Sequence, residues 1–369
     1  MRKALSVILA SCMVASLTAC GGSAKPAATT AAATEAATTA AAAAETKAEA
    51  AAGEDKFAAL GDFSMMVGHA QPEGNPRTVS MEKFAEDVKE KTNGHVTVDV
   101  YANGQLGTEK EMLEQVVAGT IQGMRGGQFD FSPRLLMFTL PFLTNNRAQV
   151  TALLQSDLAQ KVCKEAEETT GTTIISLCDA GGYRQFSNSK HPITKPDDLK
   201  GLKMRTNGMK TIDMTFQAMG ATTTTIPYSD LYMGLKTAVA DGQENPWVNV
   251  EGMKFYEVQK YFTAVNYQFH PDPFYVNAAW WNSLPAEYQE IIQACATDMA
   301  TYNDQLIDEN SNKALDTIKG AGCEVYEPSA EELKAFQDAC QPVYQQCVDE
   351  GIMTQEELDE MLKIVAEAK

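Results

Sequence analysis

The amino-acid sequence predicts an α/β fold of two lobes joined by hinge strands, with a long helix that spans both lobes. The chain has 369 residues, which is more than one hydrophobic core of usual size accommodates. Strand-like and helix-like hydrophobic periodicities alternate along most of the chain, as they do in α/β lobes. Because 44% of the residues are hydrophobic, the chain can bury a core, and general disorder is excluded.

The charge balance argues against a nucleic-acid-binding protein. The chain has 30 Lys and Arg against 49 Asp and Glu, for a net charge of -19, and no run of basic residues. Binding to a phosphate backbone requires cations clustered on one face. An anionic ligand would therefore have to be bound by a few local positive groups.

The N-terminal segment has the pattern of a lipoprotein signal peptide, predicted over residues 1–19. Arg2 and Lys3 precede an apolar stretch that is shorter than the roughly 20 residues of a membrane-spanning helix. The stretch ends in Leu17-Thr18-Ala19-Cys20-Gly21, which looks like a bacterial lipobox with Cys20 as the lipidated residue. We therefore expect export and a lipid anchor at the outer face of the cytoplasmic membrane, on the periplasmic side if the host is Gram-negative.

Residues 20–61 are predicted to form a disordered tether behind the lipidated cysteine. From Ala24 to Ala52 the segment contains 17 Ala and 6 Thr and no large apolar residue. Such a segment cannot bury a core, and an isolated Ala-rich helix is marginal in water.

Six cysteines lie beyond the lipobox, and we interpret them as free thiols, although their disulfide state stays open. They are Cys163, Cys178, Cys295, Cys323, Cys340 and Cys347. They form no CxxC pair and have no His at zinc spacing, so neither a metal site nor a cofactor is predicted.

Lobe I is predicted over residues 62–183 plus about 272–300. Ser64 to His69 has the pattern of a strand, Asn75-Pro76 can begin a helix, and three valines alternate with other residues in a second strand near Val98. The remaining elements expected in this part are a helix from Glu109 to Ala118, a strand from Ile121 to Arg125, a helix from Ala148 to Thr169 and a strand from Thr173 to Leu177.

Lobe II is predicted over residues 184–271. Its expected strands are Gln185 to Asn188, Lys203 to Thr206, Thr222 to Ile226 and Val239 to Glu244, with Tyr261 to His270 and Phe274 to Ala279 returning toward lobe I. Several crossings between lobes make a hinge, and ligands bind in the cleft of such proteins.

A long helix is predicted over residues 283–319, with Ser283 as its N-cap and Pro285 in its first turn. At 1.5 Å per residue it would be roughly 50 Å long, enough to lie along both lobes. Residues 320–369 are expected to be helical, but their packing partner is not predicted.

Six short motifs occur in chain order between about Ser64 and Leu315. They are Gly104–Gly107, Leu140–Phe142, Asp198–Arg205, Pro227–Tyr232, Asp241–Pro246 and Glu257–Tyr261. Together they resemble the DctP-type solute-binding proteins of TRAP transporters. The resemblance implies a monomeric protein with a periplasmic-binding-protein-like fold, which captures a small organic acid between its lobes and delivers it to the small and large membrane subunits of an ion-gradient-driven permease. It implies no enzymatic activity.

Arg205 matches the arginine that forms a bidentate ion pair with the ligand carboxylate in proteins of this family. A guanidinium offers a planar fork of donors that fits two carboxylate oxygens, whereas Lys offers a point charge. Arg184 matches a second family arginine, but it could instead be a hinge residue paired with a carboxylate. Asn245 matches a ligand-binding asparagine, or it could serve a turn before Pro246.

Five further residues complete the expected site. Tyr228 lies where the family places an aromatic side chain, although it could belong to the core, and Glu244 shares the motif of Asn245. His69 and Trp247 could contact the ligand or only support the structure. Arg125 departs from the family pattern; if it faces the cleft, three cations there would suit a dicarboxylate or a sugar acid.

Two other functions stay open at this point. A ligand-capturing protein that reports to a membrane sensor would have the same features. A secreted hydrolase is a more remote alternative, because the sequence has no GxSxG, HExxH, GxGxxG or P-loop motif.

Overall fold

The computed structural model describes residues 55–368. The predicted signal peptide, the lipidation site Cys20 and most of the predicted tether lie outside this range. One end of the tether was placed wrongly. Phe57 is buried against Tyr288, with ring centroids 5.5 Å apart, so the folded part begins before residue 61.

The strands are β1 (Phe63–Gly68), β2 (Val96–Tyr101), β3 (Gly123–Arg125), β4 (Thr172–Asp179), β5 (Arg184–Asn188), β6 (Lys203–Thr206), β7 (Thr222–Thr225), β8 (Gly242–Asn245), β9 (Tyr261–Gln268), β10 (Pro271–Asn277) and β11 (Glu324–Tyr326). The α-helices are α1 (Pro76–Lys91), α2 (Glu109–Ala118), α3 (Arg147–Leu154), α4 (Asp157–Thr170), α5 (Lys210–Ala218), α6 (Leu231–Lys236), α7 (Trp247–Gly252), α8 (Ala278–Ser283), α9 (Ala286–Gly320), α10 (Ala330–Asp349) and α11 (Gln355–Glu367).

Two separate sheets confirm the predicted two-lobed α/β fold. The sheet of lobe I has the order β2-β1-β3-β10-β4, in which β1 is parallel to β2 and β3, and β10 is antiparallel to both of its neighbours. The sheet of lobe II has the order β11-β9-β5-β8-β6-β7 and is also mixed. A parallel strand pair needs a crossover, and helices such as α1, between β1 and β2, provide it.

Two short links connect the lobes and run side by side. The first joins the end of β4 at Asp179 to the start of β5, and the second joins β9 to β10. The Ala180 N–H donates to the carbonyl of His270 at 3.2 Å, which ties one link to the other. In the first link Gly181 and Gly182 have φ angles of 137° and 92°, and the Asp179 carboxylate accepts from both N–H groups. Side chains with a Cβ rarely adopt these angles, so the hinge requires glycine here.

Helix α9 has 35 residues and contacts both lobes, as the sequence predicted for the long helix. It packs on α1 and β4 of lobe I and on α7 of lobe II. Its start differs from the expectation, because Ser283 ends the short helix α8 and Pro285 occupies the N-cap position of α9.

Three further packing arrangements were not predicted. The region after α9 contains the strand β11, which joins the lobe II sheet beside β9. The C-terminal helices pack across the molecule, with α10 on α5 and α11 on α3. Residues 133–143, expected in lobe I, also contact lobe II: the Phe142 N–H donates to the carbonyl of Tyr267 at 2.5 Å. Buried side chains therefore form a continuous core beneath both lobes in this region.

None of the helices within residues 55–368 is long and apolar enough to cross a membrane. The six cysteines beyond the lipobox are free thiols.

Candidate ligand-binding site

A cavity lies between the two lobes, and both lobes contribute to its wall. The lining residues are Gln71, Arg77, Glu109 and Gly127 from lobe I, Arg184, Arg205, Asn207, Tyr228, Asn245 and Asn249 from lobe II, and Ala180 and His270 from the hinge links. The lobes touch each other around it. The Tyr228 hydroxyl donates to Gln71 Oε1 at 3.0 Å, and Asn75 Nδ2 donates to Asn249 Oδ1 at 3.2 Å.

Arg205 is a buried cation whose side chain has no carboxylate partner in the described part of the chain. It lies on β6, where Met204 points into the core on the opposite face, and it is 1% exposed. Its Nε donates to the carbonyl of Ile226 at 2.8 Å, whereas Nη2 has no hydrogen-bond partner among residues 55–368. Burial, opposed by Glu244 and assisted by neighbouring Arg184, lowers the pKa of Arg205 to about 10. The group is still charged at neutral pH and lines the cavity.

Arg184 lies at the start of β5 and is fully neutralised. Its Nη2 lies 2.7 Å from Glu244 Oε1, its Nε contacts the other carboxylate oxygen, and the Tyr267 hydroxyl donates to the same carboxylate at 2.6 Å. Although burial opposes it, Glu244 raises the pKa of Arg184. These contacts correspond to the alternative that the sequence left open, a hinge residue paired with a carboxylate.

Asn245 and Tyr228 also line the cavity. Asn245 Oδ1 accepts from Arg184 Nη2 at 3.2 Å, and its Nδ2 donates to Gln243 Oε1 at 2.6 Å. Burial raises the pKa of the Tyr228 phenol, so this hydroxyl is neutral. Glu244 is different. It lies behind Arg184 and outside the cavity lining, which corrects the expectation that it faces the ligand.

Three other expected site residues lie outside the cavity lining. Arg125 is fully buried in lobe I, with its Nε 2.9 Å from Asp272 Oδ2 and its Nη2 donating to the carbonyl of Asp179. Arg125 therefore does not face the cleft, which corrects its place among the expected site residues, because Asp272 holds the guanidinium within the lobe. His69 is fully buried, and its Nδ1 accepts from the Gln71 N–H at 3.3 Å.

Trp247 is half-buried and packs on Phe262, with ring centroids 6.0 Å apart. It lines a different cavity, behind the hinge links. Its packing role was the other alternative that the sequence offered.

Arg77 and Glu109 are cavity residues that the sequence reasoning missed. Arg77 Nη1 lies 2.8 Å from Glu109 Oε1, and its Nε lies 2.9 Å from Asp272 Oδ2. Burial raises the pKa of the Glu109 carboxyl, and the attraction of Arg77 opposes this shift. One signal was present in the sequence: Arg77 lies on the apolar stripe that Met81, Phe84 and Val88 form, where a charged residue implies a buried partner.

His270, at the end of the strand predicted from Tyr261 to His270, also lines the cavity and has an unsatisfied polar atom. Its Nδ1 lies 3.4 Å from Arg184 Nη1, and its Nε2 has no hydrogen-bond partner among residues 55–368. Burial lowers the pKa of His270 well below its usual value, and Arg184 and Arg77 lower it further, so the imidazole is neutral. A Cβ on Gly127 would lie 2.7 Å from this ring, which explains why glycine occupies that position.

An outer chamber adjoins the cavity and shares Glu109, Asn207 and Tyr228 with it. The other residues of the outer chamber are Thr108, Lys110, Gln128, Asp130, Gly208, Thr225 and Pro227. The site as a whole thus has a cationic inner end and a polar outer end. No group of His, Cys, Asp and Glu residues in the described part of the chain could hold a metal ion.

Known proteins share this architecture. The chain is 32% identical over 292 residues to the C4-dicarboxylate-binding periplasmic protein DctP of Rhodobacter capsulatus, covering 78% of this chain and 86% of that protein. It is 29% identical over 285 residues to the 2,3-diketo-L-gulonate-binding periplasmic protein YiaO of Escherichia coli (strain K12), covering 76% and 86%. A crystal structure of a TRAP periplasmic solute-binding protein from Desulfovibrio salexigens, with bound orotic acid, has a TM-score of 0.76 and 30% identity, covering 83% of this chain and 98% of that one.

The family model DctP, described as bacterial extracellular solute-binding protein, family 7, matches residues 67–350. This match and the relatives confirm the resemblance that the six motifs indicated. The chain therefore belongs to the DctP family of TRAP solute-binding proteins, which serve transport and are not enzymes.

Proposed function

We propose that this protein captures a small organic acid between its two lobes and delivers it to a TRAP permease made of a small and a large membrane subunit. The observation that carries the proposal is Arg205, a cation that lines the cavity, is 1% exposed and has no carboxylate partner in the described residues. Uptake would be driven by an ion gradient, as in the family.

The physical argument concerns the cost of a buried charge. An unpaired ion inside a protein is unfavourable by several kcal/mol, roughly, even after relaxation. A ligand carboxylate would offset this cost, and the guanidinium fork can donate two parallel hydrogen bonds to it. The Nη2 atom without a partner is one of the donors that such a ligand would use.

We assign supporting roles to three other cavity residues. Asn245 and Tyr228 can donate to or accept from polar groups of the ligand. Arg184 lines the cavity but is neutralised by Glu244, so it would contribute N–H donors more than net charge. The names of relatives point the same way, since they describe binding of a C4-dicarboxylate and of 2,3-diketo-L-gulonate.

The ligand proposal is tested by a thermal-shift screen of the protein from residue 55 onward. The panel holds C4-dicarboxylates, uronates, aldonates, 2-oxo acids and aromatic acids, with the neutral sugar alcohols of the same carbon chains as controls. A ligand that binds only the folded state raises the melting temperature by mass action. An increase with at least one acid and with none of the alcohols is expected. No increase with any acid would contradict the proposal.

Delivery is tested by uptake of the acid found in the screen. Loss of uptake on deletion of the binding protein, and equally on deletion of its permease subunits, is expected. Unchanged uptake, together with loss of a transcriptional response to the acid, would instead indicate a membrane sensor as the partner.

We also propose that Cys20 carries the lipid that holds the protein at the membrane. A Cys20→Ala variant should be released into the soluble fraction, while a Cys163→Ala variant should stay in the membrane fraction. A Cys20→Ala variant that stays in the membrane fraction, like Cys163→Ala, would contradict the proposed lipid anchor.

A further inference from the structure

The charges around the cavity do not balance. Three guanidinium groups line it, those of Arg77, Arg184 and Arg205, and Arg125 shares Asp272 with Arg77. The carboxylates that pair with these groups are Glu109, Asp272 and Glu244. Four cations therefore face three anions, and the excess is one positive charge, at Arg205. This matches a ligand that brings one carboxylate to the inner end.

The next part of the site is unfavourable for a second carboxylate. Glu109 lies in the wall of both the inner cavity and the outer chamber, so a ligand that extends outward from Arg205 passes it. Asp130 adds another carboxylate to the outer chamber, where Lys110 is the cation. Glu109 is paired with Arg77, but its oxygens can only accept hydrogen bonds, as can those of a second ligand carboxylate. The two groups would face each other without a hydrogen between them, which costs roughly several kcal/mol and excludes the wrong partner. A hydroxyl group, in contrast, can donate a hydrogen bond to Glu109.

His270 offers a donor at the same inner end. Its Nδ1 lies 3.4 Å from Arg184 Nη1, which can only donate, so Nδ1 is the acceptor of the neutral ring. The hydrogen therefore lies on Nε2, the atom that has no partner in the described part of the chain. His270 lines the cavity, so a ligand oxygen can accept from this N–H. The inner end thus offers a ligand two groups that have no hydrogen-bond partner among residues 55–368, the Nη2 of Arg205 and the Nε2–H of His270.

We propose that the site selects a hydroxylated monocarboxylic acid over a dicarboxylic acid. Its carboxylate pairs with Arg205, an oxygen beside the carboxylate accepts from His270 Nε2, and a hydroxyl farther along donates to Glu109. Glu109 is the residue that rejects a second carboxylate. The inference rests on the proposed function, since it names the class of acid bound at the same cavity.

The test measures Kd by calorimetry at pH 7.5 for matched acids of one carbon chain. The probes are gluconate with glucarate, galactonate with galactarate, and glycerate with tartronate, each pair differing by one terminal carboxylate. For the wild-type protein the monocarboxylate of any pair that binds should bind about tenfold more tightly or better. Equal or tighter binding of the dicarboxylate would overturn the inference while leaving the proposed function intact.

Two variants locate the selectivity. Glu109→Gln should reduce the preference for the monocarboxylate, measured as the ratio of the two Kd values in a pair, to less than about threefold. Most of this change should come from tighter binding of the dicarboxylate. Asp130→Asn, the control in the outer chamber, should leave most of the preference in place. A preference unchanged in Glu109→Gln would remove this residue from the explanation. Arg77 keeps Asp272 as a partner in that variant, and if the variant does not fold, the wild-type comparison decides alone.

His270→Ala checks the second contact. The substitution should weaken binding of the monocarboxylate about five- to thirtyfold, as expected for one lost hydrogen bond. The ratio of the two Kd values within a pair should not change. An unchanged affinity would contradict the role of Nε2. If no acid of either class binds the wild-type protein, both the proposed function and this inference fail.

Discussion

The two walls of the cleft hold their arginines in different ways. In lobe I, Arg77 and Arg125 share Asp272, and Arg77 also has Glu109, so both cations are compensated. In lobe II, Arg184 is compensated by Glu244, whereas Arg205 has only the carbonyl of Ile226 within the described part of the chain. All four side chains are at least nine-tenths buried. Burial alone therefore does not separate these arginines, whereas the missing carboxylate sets Arg205 apart and supports its proposed role in ligand binding.

The pKa shifts of the two lobe II arginines make the same distinction. Glu244 raises the pKa of Arg184, while burial lowers the pKa of Arg205 to about 10. The first group stabilises the folded protein through its partner. The second is a buried cation without a carboxylate partner among residues 55–368, as its proposed role in binding an external anion requires.

The largest expected effect concerns stability and the pair Arg184→Met and Arg205→Met. Arg184→Met leaves Glu244 buried without its cation, so the free energy of unfolding should fall by about 3–5 kcal/mol. Arg205→Met removes a cation that has no carboxylate partner among residues 55–368 and should leave stability unchanged or raised. Urea denaturation of both variants without ligand measures the difference. Equal losses of unfolding free energy in the two variants would contradict the distinction between the two arginines.

A smaller effect concerns the pH dependence of ligand affinity. The pKa of Arg205 in the empty protein is about 10, so affinity should be constant from pH 7 to 9 and fall as pH rises through this value. The decrease should approach tenfold per pH unit, roughly, once the free guanidinium is deprotonated. The other cavity groups beside Arg205 do not give this profile, because the pKa values of Arg184 and Tyr228 are raised. Calorimetry from pH 7 to 10.5 measures it, and constant affinity throughout would contradict the assignment.

The smallest expected effect concerns a charge cluster behind the hinge links, in which carboxylates outnumber the cation. Arg147 contacts three carboxylates there, those of Asp179, Asp304 and Asp308. Burial and the neighbouring Asp179, opposed by Arg147, raise the pKa of Asp304 to about 6. Because the folded state holds this proton more tightly than the unfolded state, the contribution to stability is present below pH 4, roughly, and is lost as pH rises through 6.

Asp304→Asn should therefore raise the free energy of unfolding at pH 7.5 relative to the wild type, by roughly 1 kcal/mol or less, because this partly exposed group is screened by solvent. At pH 4.5 the variant and the wild type should differ less. Asp308→Asn, whose side chain is 64% exposed, is the matched control and should show almost no pH-dependent difference. A larger effect for Asp308 than for Asp304 would contradict this account.

Much of the fold could be predicted because periodicity and caps are local properties. The alternation of valines near Val98 and the stripe of α9 both depend on neighbours a few residues apart. The strand β11 could not be predicted, since its three residues are not alternately buried and its partner β9 lies more than 50 residues earlier in the chain. The docking of α10 and α11 across the molecule is likewise a matter of tertiary packing that no local pattern encodes.

The site was predicted in part for the same reason. Motifs identified Arg205, Arg184, Asn245 and Tyr228, all of which line the cavity. They could not show that Asp272 would hold Arg125 inside lobe I, because that pairing joins strands distant in sequence. His270 rather than His69 reaches the cavity, and only the arrangement of the hinge links decides this.

The central claim is that Arg205 binds a ligand carboxylate, and calorimetry of Arg205→Ala with the acid found by screening tests it most directly. Lys203→Ala, at the exposed end of the same strand, is the control and should bind like the wild type. Arg205→Ala should lose about 2–5 kcal/mol of binding free energy, which is roughly 30- to several-thousand-fold in Kd. A loss of less than about threefold would contradict the account.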